Sequence, residues 1–221
     1  MRANKLHRQH GFTLVELAVV LVIIGIILGA VLKGQELINN SKAKSLQSNL
    51  KSIETMMWSY YDRKGRWPGD CDINGIIGYT PDNAVSSTNA LSTTSDPTAE
   101  TCNAATPVEN QNTTLAELRA ARIAPYDTPN NVFASHVSDG VFQVGSVDDS
   151  AGSGEIVNAI VAYRVPSWMA KVIDVSIDGK EDGEVGRVRR WDTAVAGATW
   201  PTEAADDQMV ALTYMFDRVL P

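Results

Sequence analysis

The chain has 221 residues, enough for one domain or two, with 44% hydrophobic residues and a formal charge of −7 from 19 basic and 26 acidic side chains. Arg2, Lys5 and Arg8 stand in the first 11 positions, so the rest of the chain sets 16 basic residues against all 26 acidic ones, a charge of −10. That balance argues against nucleic-acid binding through a broad basic surface and suits a soluble, exported head.

The apolar residues concentrate near the N-terminus. Phe12 to Leu32 is 21 residues whose only charge is Glu16; as a helix it spans about 30 Å, one hydrocarbon core. The basic flank predicts that the N-terminus stays cytoplasmic and the rest is exported. An ionised Glu16 deep in hydrocarbon costs on the order of 3 kcal/mol, less near the interface, and a plain anchor has no use for it. A secretory signal would have a shorter apolar core and a small-residue cleavage site, and no A-x-A pattern stands near Ala30. The natural cut lies before the apolar run, between Gly11 and Phe12.

Gly11-Phe12-Thr13-Leu14-Val15-Glu16-Leu17, behind a basic leader and ahead of an uninterrupted apolar helix, resembles the class III signal of type IV pilins and of the pseudopilins of type II secretion. The resemblance implies that a prepilin peptidase cuts after Gly11 and methylates the new amine of Phe12. It also implies the other partners: an inner-membrane assembly platform with its ATPase, copies of this chain and other pilins in a helical filament, and membrane lipid. Glu16 then gains a physical role. The new amine lies about one turn before it, so when helices pack side by side Glu16 of one subunit meets the amine of a neighbour. In a low-dielectric bundle that pair is strong and a lone partner is costly, which sets the stagger of assembly. Gly25 and Gly29 form a G-x-x-x-G that lets helices approach closely, although glycine is common in membrane helices generally.

The expected organisation is a leader at 1–11, a transmembrane and assembly helix at 12–32, its amphipathic continuation at 33–63, and a globular head at 64–221 outside the cytoplasm. Removal of the leader takes His7 and His10 with it and leaves His136 as the only histidine. Leu46, Leu50, Ile53, Met57 and Tyr60 recur every three or four residues, one face of a helix. No proline interrupts Phe12 to Trp67, and Gly65 reads as the stop signal. Met56, Met57, Trp58, Tyr60 and Tyr61 read as helix–sheet core rather than as an electron-conducting path.

Trp67-Pro68-Gly69-Asp70 carries turn chemistry. Asp70, Asp72 and Asn74, followed by Gly75, have the D-x-D-x-N-G spacing that opens an EF-hand calcium loop, in which alternate oxygens point inward. Pro81 occupies the twelfth position, where such loops carry glutamate, so a ligand such as Asp82 would have to complete the site. An Asx-rich turn without metal is the simpler reading. No cofactor is required by anything in the chain. Cys71 and Cys102 are the only cysteines and, in an exported protein, predict a disulfide closing 31 positions. It would tie back the Ser-, Thr- and Asn-rich stretch from Thr80 to Asn103, and it differs from the usual type IV pilin disulfide, which staples the C-terminal region.

Thr113 to about Ile123 reads as a short helix, with Thr114 and Glu117 as a capping box and Leu115, Leu118 and Ile123 as its apolar face; residues 124–140 read as loop. Strands are expected at Val141–Val147 and Glu155–Val165, with a turn between, and at Arg187–Trp191 and Met209–Phe216. A helix from Pro166 to about Ile177 is expected to bury Trp168, Val172, Ile173 and Val175. The run from Ile173 to Arg189, together with Pro68 to Asp70, resembles segments of pilin-like proteins with large heads. The carboxylates from Asp178 to Glu184, Glu181 among them, face Arg187, Arg189 and Arg190, and internal salt bridges explain them more simply than a cation does.

No G-x-S-x-G, P-loop or H-E-x-x-H is present, and His136 has no cysteine nucleophile beside it, so an enzyme is not expected. The fold class is α+β and pilin-like: a long N-terminal helix, transmembrane in its first half, packed on a small antiparallel-sheet head. The function read from it is a structural subunit, major or minor, of a type IV pilus or related filament, the large head being easiest to place in a minor or tip subunit. It starts as a single-pass inner-membrane precursor and moves to the pilus and cell surface, or to a periplasmic pseudopilus if the chain is a pseudopilin of type II secretion. A membrane-anchored binding domain that never polymerises is the third reading.

Overall fold

A computed structural model describes residues 13–81, 101–102, 109–149, 155–191 and 197–217. Gly11, Phe12, Asp82, most of the Thr80–Asn103 stretch and the tip of the expected turn at 150–154 lie outside these residues. The chain divides into two compact units between Ser41 and Lys42.

Helix α1 runs Leu14–Lys64, 51 residues, or about 76 Å at 1.5 Å per residue. Within the first unit its apolar side chains stand exposed from Leu14 through Leu32. It is long and apolar enough, by length and composition, to cross a membrane. Within the second unit Ala43, Leu46, Leu50, Met57 and Tyr60 are buried and Ile53 packs against them, the face the three-and-four spacing predicts. Gly65 ends the helix at φ +70°, a left-handed conformation that glycine adopts without a Cβ penalty, and its N–H bonds the Tyr61 carbonyl. Trp58 and Tyr61 depart from expectation. They are 41% and 38% exposed and lie edge-on to one another at 5.8 Å beside Trp67, so only Met57 and Tyr60 of the expected group are fully buried.

The second unit is built on a four-stranded antiparallel sheet. Its strands are β1 (Phe142–Asp148), β2 (Ile156–Pro166), β3 (Val188–Arg190) and β4 (Met209–Met215), in the order β1-β2-β4-β3. Helix α2 is Thr113–Ala120, α3 is Asn130–Phe133 and α4 is Ser167–Asp178. The alternation of side chains along the central strands fills two cores. Ile160, Ala162, Val165, Leu212 and Tyr214 join the α1 face, Leu115, Leu118, Met169 and Ile173. On the other side Val157, Ala159, Val161, Tyr163, Ala211, Met215 and Trp191 form a second cluster. Register slips between Ala162 and Val165, where Arg164 takes φ +56°: a β-bulge that bends β2 into α4.

Three expectations are corrected. Residues 124–140 are not all loop, since α3 forms behind Pro129. α2 stops at Ala120, three residues before Ile123. In α4 the buried face is Met169, Ala170, Ile173 and Asp174, whereas Trp168 is only partly covered and Val172 and Val175 are 42% and 46% exposed. The phase of α4 is fixed by Asp174, which turns inward to collect hydrogen bonds.

Candidate functional site

Thr13 and Glu16 form a capping box at the start of α1. The Thr13 backbone N–H and hydroxyl both donate to Glu16 Oε2 at 2.8 Å, and the Glu16 N–H donates back to Thr13 Oγ1 at 3.2 Å. Two backbone donors of the helix terminus are thereby answered reciprocally, the Thr13 N–H by the Glu16 carboxylate and the Glu16 N–H by the Thr13 hydroxyl. Along the same helix, a Cβ added at Gly25 or Gly29 would meet no atom within 4 Å, so this surface is open to a close neighbour.

The turn after α1 is organised by Glu117 rather than by a cation. Glu117 lies in α2 and is 3% exposed. It accepts from Arg66 Nη1 and Nη2 at 2.7 Å each, from the Gly69 N–H at 3.0 Å, from the Tyr60 hydroxyl at 3.1 Å and from the Cys102 N–H at 3.3 Å. Burial is the largest single influence and raises its carboxyl, but the hydrogen bonds from Arg66, Gly69 and Tyr60 and the Arg66 charge together outweigh it and hold Glu117 below the ordinary value. Burial beside Glu117 pushes the Tyr60 hydroxyl far above its usual value. The expected Thr114–Glu117 capping box is therefore absent. Asn112 stands at the N-cap, the Thr114 hydroxyl donates to the Pro68 carbonyl, and Glu117 faces inward to Arg66. Gly69 sits at φ +87°, where a Cβ would come within 2.6 Å of Thr114 Oγ1.

Cys71 and Cys102 are joined in a disulfide, as the count of two predicts. The D-x-D-x-N-G loop is closed by its own donors. Asp70 Oδ1 and Oδ2 accept the Asn74 and Gly75 N–H groups at 3.1 and 3.0 Å, Asn74 Nδ2 donates to Asp72 Oδ2 at 2.7 Å, and Asn74 Oδ1 accepts the Ile76 N–H at 2.7 Å. Burial pushes the Asp70 carboxyl above its ordinary value despite the two amides. This is the geometry of an Asx-rich turn. Among the described residues no three His, Cys, Asp or Glu side chains are grouped to hold a metal; Asp82, the further ligand the sequence offers, lies outside them.

The arginines after α4 do not pair with the loop carboxylates as expected. Arg187 reaches Glu54 on α1 at 3.3 Å and the Tyr214 hydroxyl at 2.8 Å. Tyr214 donates to Glu54 at 2.8 Å and accepts from Lys51. Arg189 pairs with Asp149, and Arg190 donates to the Thr199 carbonyl. This Tyr214 hub, which sequence periodicity cannot reveal, joins residues 163 positions apart. His136 is buried, with Nε2 at 2.8 Å from the Tyr163 carbonyl and Nδ1 accepting the Ser138 N–H. Burial drives its pKa down to about 4, so the ring is neutral at pH 7.

Residues 6–32 match the prokaryotic N-terminal methylation motif. It is the class III signal typical of type IV pilins and pseudopilins. No curated protein and no solved structure matches the chain. The motif and the pilin-like α+β fold point to a type IV pilin or pseudopilin, made as a membrane-anchored precursor and processed by a prepilin peptidase. Proteins carrying this motif are typically not enzymes.

Proposed function

We propose that the chain is a structural subunit of a type IV pilus or related filament, made as a prepilin that is cleaved after Gly11 and methylated on Phe12. The observation that carries this reading is the methylation motif laid over an apolar helix whose side chains are exposed from Leu14 through Leu32 and whose one charge is Glu16. Lipid covers such a face in the precursor, and the helices of other subunits cover it in a filament.

In the single chain Glu16 is held by Thr13. Cleavage after Gly11 places a new amine four positions before Glu16, and a neighbouring subunit's amine then competes with Thr13 for the carboxylate. The head stays outside the cytoplasm, and the peptidase, the platform protein with its ATPase, and other pilins are the partners. A pseudopilin of type II secretion is the second reading, because the same motif serves both systems. The test is Glu16→Ala in cells that make the wild-type machinery. The variant should be cleaved and remain in the membrane while leaving the sheared filament fraction. Incorporation at the wild-type level would overturn the assembly role of Glu16, and absence of the unsubstituted chain from the filament fraction would leave a membrane-anchored binding domain.

A further inference from the structure

The turn after α1 holds one apolar side chain out to solvent on a strained backbone. Ile73 is 71% exposed at φ +60°, a left-handed conformation that costs a β-branched residue free energy. The surrounding bonds impose it. Asp70 accepts the Asn74 and Gly75 N–H groups, Asn158 Nδ2 donates to the Gly75 carbonyl at 2.9 Å, Asn158 Oδ1 accepts the Ile77 N–H at 2.8 Å, and Cys71 is tied to Cys102. A plain turn would place glycine or asparagine at such a position. Backbone strain of this kind gathers at functional positions, and here it makes Ile73 a rigid knob.

The same head carries a socket. A groove of about 340 Å³ runs between α1, α3 and β1, lined by Asn49, Ile53, Met56, Pro125, Phe133 and Phe142. It shares no residue with the Ile73 turn. The charges of the two surfaces are complementary. No Lys or Arg stands between Trp67 and Pro81, and exposed Asp72 and Glu109 flank the knob, Glu109 accepting the Cys71 N–H at 3.2 Å. On the groove's side of α1, exposed Lys42 lies seven residues before Asn49 and exposed Arg63 seven after Met56, two helical turns in each case. Exposed Arg122 precedes Pro125 by three positions, and Asp127 is the opposing charge beside it in the chain.

We propose that Ile73 of one copy of this chain seats in the groove of a second copy, with the acidic flank of the knob against the basic lip of the groove. The proposal deepens the filament reading above and rests on it. Knob and socket are different surfaces, so the contact is heterologous: each copy offers a free knob at one side and a free socket at the other, and the contact repeats along an open helical array.

Photo-cross-linking tests this, with benzoylphenylalanine placed at position 73 of the full-length chain in cells that make the wild-type machinery. The expected result is a covalent dimer in the membrane and sheared-fibre fractions, joined from position 73 to the peptide that carries Ile53 and Met56. Ser52→Trp, a change at an exposed residue of the groove wall, should fill the socket and abolish that dimer. Ile73→Gly removes the left-handed strain, so its Tm should equal or exceed that of the wild type while its share of the fibre fraction falls severalfold. No dimer in either fraction, or a dimer joined elsewhere, would overturn the proposal even where the wild-type chain is found in fibres. Incorporation of Ile73→Gly at the wild-type level would overturn it too. The expected dimer in membranes, with no chain in fibres, would uphold the contact and defeat the filament reading instead.

Discussion

Replacing Glu117 with alanine should be among the most damaging single changes in the head. The carboxylate takes five donors from four residues: two from Arg66 and one each from Tyr60, Gly69 and Cys102. Its loss strands the Arg66 guanidinium, whose side chain is 15% exposed, and leaves the Gly69 N–H unanswered in a buried turn. Breaking a buried pair by removing one partner costs about 3–5 kcal/mol. For a unit of this size each kcal/mol lowers Tm by about 2–4 °C, so a fall of about 8–16 °C is expected for a loss near 4 kcal/mol. The assay is thermal and urea unfolding of the full chain in detergent, with Arg66→Ala and the double variant alongside. The double variant should lose much less than the sum of the singles, with a coupling of about 2 kcal/mol or more. A Glu117→Ala variant within about 1 kcal/mol of wild type, or additive single effects, would refute the argument that Glu117 and Arg66 act as one unit.

His136 is neutral in the folded protein, and its pKa of about 4 lies below the unfolded value of 6.5. The stability it secures is therefore complete above pH 6.5 and is lost as pH falls toward 4, about 3 kcal/mol in all; urea midpoints of His136→Gln should be flatter across that window. Reducing the disulfide, or Cys71→Ser with Cys102→Ser, should cost about 3–4 kcal/mol in the chain-entropy model for a 31-residue separation. An unchanged urea midpoint in the oxidised and reduced protein would contradict that role. Tyr214→Phe should destabilise by about 1–3 kcal/mol, because the buried hydroxyl is shared by Glu54, Lys51 and Arg187. Wild-type unfolding behaviour in that variant would show the hub to be incidental.

The parts of the fold that the chain discloses by itself are those set by local period. The α1 face from Leu46 to Tyr60, the stop at Gly65 and the four strands follow from the spacing of apolar residues and from turn residues at their ends. The misread positions are those whose partner is remote. Glu117 three places after Thr114 has the spacing of a capping box, but Arg66, 51 positions away, decides where it points. Val172 and Val175 are apolar and still exposed, because the Asp182 amide and the Trp200 indole draw Asp174 to the inside of α4. The arginines after the acidic loop are adjacent to it in sequence, yet Arg187 reaches Glu54, 133 positions away. The N-terminal motif lies at the other extreme: its chemistry is contained in a few consecutive residues, so Glu16 needed no tertiary information to be found, whereas Thr13 as its capping partner was missed although the T-x-x-E spacing carries that signal.

The most direct measurement is the intact mass and N-terminal sequence of the protein from sheared surface fibres and, separately, from membranes. The account predicts a chain that begins at methylated Phe12 in the fibre fraction. The same processed chain confined to membranes would shift the reading to a pseudopilin, and a chain still beginning at Met1 in cells that contain the peptidase would contradict the central claim.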